Sequence, residues 1–111
     1  MEHLLDPARS TLVVRIPHDI LSTNVESLRA SVNPLVDPAV ASPRNWEVLE
    51  LDLGGCRTID SAGLNFVVSL LRLASARGAR VRALVSTTQI HRIFQFTRLD
   101  KHVELVKVGD S

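Results

Sequence analysis

Residues 46–85 hold two alternating apolar stretches separated by one long apolar helix pattern, and that succession leaves few architectures open. In "WEVLELDLGG", Leu49, Leu51 and Leu53 fall on one side and Glu50 and Asp52 on the other, the period of a strand that ends at Gly54-Gly55. From Ser61 to Arg77 the pattern is helical: Leu64, Val67, Val68 and Leu71 form one face, and Phe66, Leu70 and Leu73 widen it nearly all round. A helix of that kind must be mostly buried. Gly78 supplies a stop, and "ARVRALV" then aligns Val81, Ala83 and Val85 as another short strand. Strand, buried helix and strand in that order predict a right-handed crossover joining parallel neighbours.

The flanks extend the same scheme. "STLVVRIP" has the β-branched content of a strand, with a turn at Asp6-Pro7 before it and Pro17 after it, so residues 3–5 are expected to pair back as a hairpin. In "STNVESLRASVNP", Thr23 and Glu26 match a capping box, and Val25, Leu28 and Val32 share a helical face. Pro34 disfavours helical geometry at Asn33 and predicts an end or kink there. "NPLVDPAVASPRN", with three prolines, reads as a loop with room for one extra turn and as the most mobile segment. "STTQIHRIFQF" offers a second capping box, Ser86 with Gln89, and an apolar seam of Ile90, Ile93 and Phe94, while "HVELVKV" alternates as a last strand. The predicted order is ββαβαβαβ: an α/β fold with a mostly parallel sheet of four to five strands, an antiparallel N-terminal hairpin and three to four helices. A chain of 111 residues accommodates this as one domain, residues 1–111.

Charge and residue usage remove several function classes. Eleven arginines and two lysines against 12 acids leave a net charge of +1, which does not call for a polyanionic partner. Arg72, Arg77, Arg80 and Arg82 are spread over a helix end and a strand start and read as a solvated face, so no nucleic-acid partner is expected. No apolar run approaches the roughly 18 residues of a membrane span, and "MEHLLDPARS" lacks the regions of a signal peptide. A cytoplasmic protein without membrane insertion is expected. Cys56 is the single cysteine, read as a small buried hydrophobe in preference to a redox-sensing thiol. His3, His18, His91 and His102 show no ligand spacing, so neither a metal nor a cofactor is expected.

Function is expected in loops at the carboxyl ends of the strands, and "GGCRTIDSAG" is one of them. Asp60 or Ser61 can cap the helix, and Gly63 allows close backbone packing in its first turn. Enzyme motifs are incomplete: the loop is not a Gly-x-Ser-x-Gly elbow, has no lysine for a phosphate cradle, no second acid placed for paired-carboxylate hydrolysis and no neighbouring histidine for a triad. No catalytic residue is assigned. What remains is a serine hydroxyl at a helix N-terminus, a description that suits a modification site. Phosphorylation would add about −1.5 to −2 charges there. The helix dipole and the free N–H groups of the first turn are expected to accommodate that dianion, whereas a partner over the loop would have to desolvate or repel it.

With these residues in view, the sequence resembles the STAS family, the sulphate-transporter and anti-sigma-factor-antagonist domain, and in particular its small free-standing bacterial members. The most specific piece is "IDSAGLNFVVSL", similar to the family's Asp-Ser-x-Gly-Leu run after a strand; "TLVVRIPHDILSTNVESLRASV" and "TTQIHRIFQFTRLDKHVEL" support it. The resemblance implies an anti-sigma factor antagonist working by partner switching. Unphosphorylated, it captures an anti-sigma factor that is also a serine kinase; phosphorylated at Ser61, it releases that partner, and a separate phosphatase resets it. Ser22, Thr23 and Asn24 before the first helix, with Asp60, Ser61, Ala62, Gly63 and Leu64, would form the docking face. Relatives commonly carry a Gly-Glu-Leu-Asp-like stretch that aligns with His18-Asp19-Ile20-Leu21, so Leu21 replaces the usual final acid and Asp19 is the nearest substitute. The connection around "SPRNW" is also longer than usual. The alternatives implied are a non-phosphorylated accessory subunit that docks on the ATPase of an ABC-type lipid transporter, and a STAS signalling scaffold.

Overall fold

The computed structural model describes residues 1–39 and 46–109, and its elements follow the predicted order. They are β1 (Glu2–Asp6), β2 (Thr11–Arg15), α1 (Val25–Val36), β3 (Val48–Leu53), α2 (Ser61–Ala76), β4 (Arg80–Val85), α3 (Thr88–Phe96), a 3-10 turn (Leu99–Lys101) and β5 (Glu104–Lys107). The sheet order is β1-β2-β3-β4-β5. β1 pairs antiparallel with β2, from Glu2 opposite Arg15 to Asp6 opposite Thr11, and every other pair is parallel. This is an α/β fold with a five-stranded mixed sheet and three α-helices.

Register explains the core. Leu12, Leu49 and Val81 stand in line across β2, β3 and β4, as do Val14, Leu51 and Ala83, and all six are buried. They share one apolar cluster with Leu28 and Val32 of α1, Phe66 and Leu70 of α2, and Ile90 and Phe94 of α3. Burying such side chains contributes roughly 1.5–3 kcal/mol each, the dominant favourable term in the fold. The opposite side of the sheet is polar. Glu50 accepts from Arg9 at 3.2 Å and Arg82 at 3.1 Å, Arg15 meets Asp52 at 3.2 Å, and Arg82 also meets Glu104 at 3.3 Å. Glu50 is thus a buried acid under two arginines, which keeps its charge partnered.

Three local expectations change. α1 does not stop at Asn33 but runs on through Pro34 to Val36. Val32 and Val36 are fully buried while Pro34 faces solvent, so apolar burial on one face offsets the hydrogen bond that the proline cannot donate on the other. Thr23 caps nothing: the residue before the helix is Asn24, whose side chain makes no cap because its Oδ1 accepts from Leu21 N at 3.0 Å. At α3 the cap is Thr87, accepting from Ile90 N at 3.2 Å, while Ser86 donates to the carbonyl of Gly54 at 2.6 Å and ties two loops together. Of the segment 33–45 expected as a mobile loop, residues 33–36 instead belong to α1, and residues 40–45, with most of the long connection, lie outside the described residues.

Candidate functional site

β2 and β3 separate at Pro17 and at Gly54-Gly55, and the chains beyond them meet again. Ile20 N donates to Thr58 O at 3.1 Å and Asp60 N donates back to Ile20 O at 3.3 Å, closing an isolated parallel bridge between Ile20 and Ile59. The anchors of this second pairing, Ile20 and Ile59, are both buried. Two carboxylates fasten the loops further. Asp19 Oδ1 accepts from Arg57 N at 3.0 Å and Thr58 N at 3.1 Å. Asp60 Oδ1 accepts from Gly63 N at 2.8 Å, which caps α2, and its Oδ2 accepts from Ser22 N at 2.8 Å, which holds the loop before α1. Donation from Gly63, then from Ser22, draws the Asp60 carboxyl below the usual carboxylate range, because both bonds favour the ionised form.

Gly63 is where the two loops touch most closely. A Cβ on it would lie 2.1 Å from the carbonyl oxygen of Ile20, a backbone atom with no freedom to withdraw. The absence of a side chain therefore lets the first turn of α2 rest directly on the neighbouring loop. Gly55 plays a similar part, since its Cβ would come within 2.9 Å of the Pro17 backbone.

On this frame Ser61 is the first residue of α2 and is exposed, and its hydroxyl has no hydrogen-bond partner among the described residues. Ser22 and Thr23 are exposed beside it, brought there by the Ser22–Asp60 bond. The remaining predicted docking residues lie further in. Asn24 spends its amide on Leu21 N and Asp19 O, Asp60 is bonded on both oxygens, Ala62 and Leu64 are half-buried against the core, and Gly63 is buried. The surface within reach is a rim of Ser22, Thr23 and Ser61 over an inner layer that fixes its shape. The helix end is partly occupied: of its first-turn N–H groups, Gly63 N already serves Asp60.

Sequence reasoning missed Asp19 as a brace. Its partners lie 38 and 39 residues away, and the sequence left Asp19 as a stand-in for an acidic contact at Leu21. Cys56 is fully buried, and burial above all pushes its thiol up to about 11, which matches a small core group and leaves little reactive thiolate. Among the described residues no three His, Cys, Asp or Glu side chains gather as a metal site. No described helix is long and apolar enough to cross a membrane. The four arginines read as scattered behave otherwise: Arg77 stacks 3.7 Å over the ring of Trp46, and the other three border one groove.

The family profile described as "Mlab, STAS domain" matches residues 3–107. The chain belongs to the STAS domain family. No protein of curated function matches it in sequence. Solved STAS-fold structures resemble it throughout. A Thermotoga maritima protein named as a candidate anti-sigma factor antagonist shares 17% identity at a TM-score of 0.79, over 96% of this chain and 86% of that one. An anti-sigma factor antagonist from Mycobacterium paratuberculosis shares 19% at 0.74, over 96% and 86%. The Bacillus cell fate determinant SpoIIAA, in its phosphorylated form, shares 19% at 0.68, over 98% and 93%. At these identities the likeness is one of fold.

Proposed function

We propose that this STAS domain is an anti-sigma factor antagonist that binds a serine kinase acting as anti-sigma factor, and that phosphorylation of Ser61 releases the partner. The observation that carries the reading is an exposed hydroxyl at the start of α2, without a hydrogen-bond partner among the described residues and flanked by groups that are already hydrogen-bonded. A kinase can reach that oxygen without unfolding anything. The modified side chain would stand next to the ionised Asp60, which already holds Gly63 N and Ser22 N, so the new charge adds to one that is in place. A partner seated on Ser22, Thr23 and Ser61 must then bury or face a dianion beside a carboxylate. Burying an unpaired charge costs several kcal/mol, and about 3 kcal/mol already weakens binding more than a hundredfold. A phosphatase restores the docking surface, and ATP belongs to the kinase. That solved relatives of this fold include an antagonist captured in phosphorylated form agrees with this reading.

A second reading, a non-phosphorylated accessory subunit docking on a transporter ATPase through the same rim, has one observation in its favour. Leu21 occupies the position of the usual acid, and Asp19 is committed to Arg57 N and Thr58 N and so is not free to replace it.

The deciding experiment is capture from native lysate, with mass spectrometry of both the bound proteins and the peptide containing Ser61. Ser61→Ala is expected to retain the partner and incorporate no phosphate, and Ser61→Asp to weaken capture at least tenfold. Equal capture by wild type and Ser61→Asp defeats the charge switch. An ATPase that co-purifies regardless of phosphatase treatment establishes the accessory reading instead.

A further inference from the structure

At the other end of the sheet from Ser61, the first residues of β3, β4 and β5 (Val48, Arg80 and Glu104) border a groove of about 830 Å³, roofed by the C-terminal half of α2 and by the segment around the 3-10 turn. That volume lies within the range of roughly 300–1,000 Å³ usual for small-molecule sites. Its floor is aliphatic. Leu71, Val81, Leu99 and Val103 are core residues that keep 7–9% of their surface accessible, where most of the core keeps none, and all four border this groove. The core therefore shows through here.

The rim is cationic. Arg72, Arg80, Arg98 and Lys101 border the groove, all are exposed, and none forms an ion pair with a described residue. Glu104 is the only acid on it among the described residues, and it is held by Arg82 at 3.3 Å. Arg98 also sits at φ +61°, a left-handed conformation that a long side chain adopts at a cost and that clusters at ligand-binding positions. Other cations make the contrast: Arg9 and Arg15, away from the groove, have acids, and Arg82, which also borders it, is paired with Glu50 and Glu104.

The geometry points to a second site, in which this groove binds a small soluble anionic amphiphile, its acidic head on Arg72, Arg80, Arg98 and Lys101 and its alkyl body on Leu71, Val81, Leu99 and Val103. An inorganic anion would leave the aliphatic floor unused, and a neutral alkyl compound would leave the cations unused. Among the described residues no Phe, Tyr or Trp borders the groove to offer a broad stacking surface for a nucleotide base, and His102 is the single ring on its rim. The site lies about 16 Å along α2 from Ser61, taking a rise of 1.5 Å per residue, and is independent of the phosphorylation reading.

Octyl phosphate, used below its micellar concentration, tests the inference by calorimetry and by NMR of the valine and leucine methyl groups. Saturable one-to-one binding is expected, with the largest shifts at Leu71, Val81, Leu99 and Val103 and an affinity that falls with added salt. Inorganic phosphate and octyl glucoside are each expected to bind at least tenfold more weakly, and the double variant Arg80→Gln/Lys101→Gln to lose at least tenfold. Arg98→Gly guards against misfolding as the explanation: it relieves the left-handed strain, so Tm stays at or above the wild-type value while affinity falls. Ser61→Asp is expected to bind octyl phosphate like wild type. Octyl glucoside or inorganic phosphate binding as tightly as octyl phosphate overturns the assignment, as does an unchanged double variant. So does binding of an acidic peptide, an RNA oligonucleotide or anionic-lipid vesicles while octyl phosphate leaves the methyl spectrum unmoved.

Discussion

The two ends of the sheet are built on opposite plans. Beyond the carboxyl ends of β2 and β3, two aspartates each accept two backbone N–H bonds, a glycine admits direct contact with a carbonyl, and one serine hydroxyl is left over. At the amino ends of β3, β4 and β5, the surface is made of side chains: four cations with no ion pair among the described residues, around a patch of visible core. The first end is a frame whose parts depend on one another. The second is a set of groups that contribute little to each other's stability. A molecule that must be recognised by shape and then switched by one added charge suits the first plan, and capture of a small charged ligand suits the second.

That contrast can be broken by mutation. Gly63→Ala is expected to have the largest effect, destabilising by about 3 kcal/mol or more in denaturant unfolding, because the new methyl must push apart two backbones that are bonded on either side. A variant as stable as wild type would mean that the two loops are not locked. Asp60→Ala comes next, lowering Tm by a few degrees through loss of the α2 cap and of the bond to Ser22 N, and Asp60→Asn should recover part of it. The pH dependence has a definite sign. Since folding lowers the Asp60 pKa, its contribution is present above the unfolded carboxylate value and is lost as pH falls through the folded one. The Tm gap between wild type and Asp60→Asn should hold steady at neutral pH and narrow below about pH 4. At the other end, Arg72→Gln with Arg80→Gln is expected to shift stability by no more than about 0.5 kcal/mol, in keeping with exposed cations that form no ion pair with a described residue. A large loss there would place those arginines in the frame of the fold and erase the distinction.

How far each end could be read from sequence follows the same divide. The strands around Leu49 and Val81 and the buried helix starting at Ser61 declare themselves because periods of two and of 3.6 residues are local properties. So does Asp60 as a cap, which needs only three neighbouring residues; that Gly63 permits a close approach is also legible, but its partner, the Ile20 carbonyl on the other loop, is not. Asp19 gave no such signal, since its bonds cross to Arg57 and Thr58 and depend on where Pro17 and Gly54 turn the chain. The groove was illegible for a stronger reason: Arg72, Arg80, Arg98 and Lys101 come from α2, β4 and the segment at the 3-10 turn, and read along the chain they look like surface scatter. Pro34 shows the third kind of miss. A strong local preference against helix lost to burial of Val36, which no window around the proline reveals.

The strictly sequential order of the five strands has a consequence for how the molecule comes into being. As the chain leaves the ribosome, each strand finds its neighbour already laid down, and no strand must be threaded later between two others. Each closure spans only the chain just made, which keeps the entropy of every step small. Assembly can keep pace with synthesis, and the growing sheet offers the next strand a single open side.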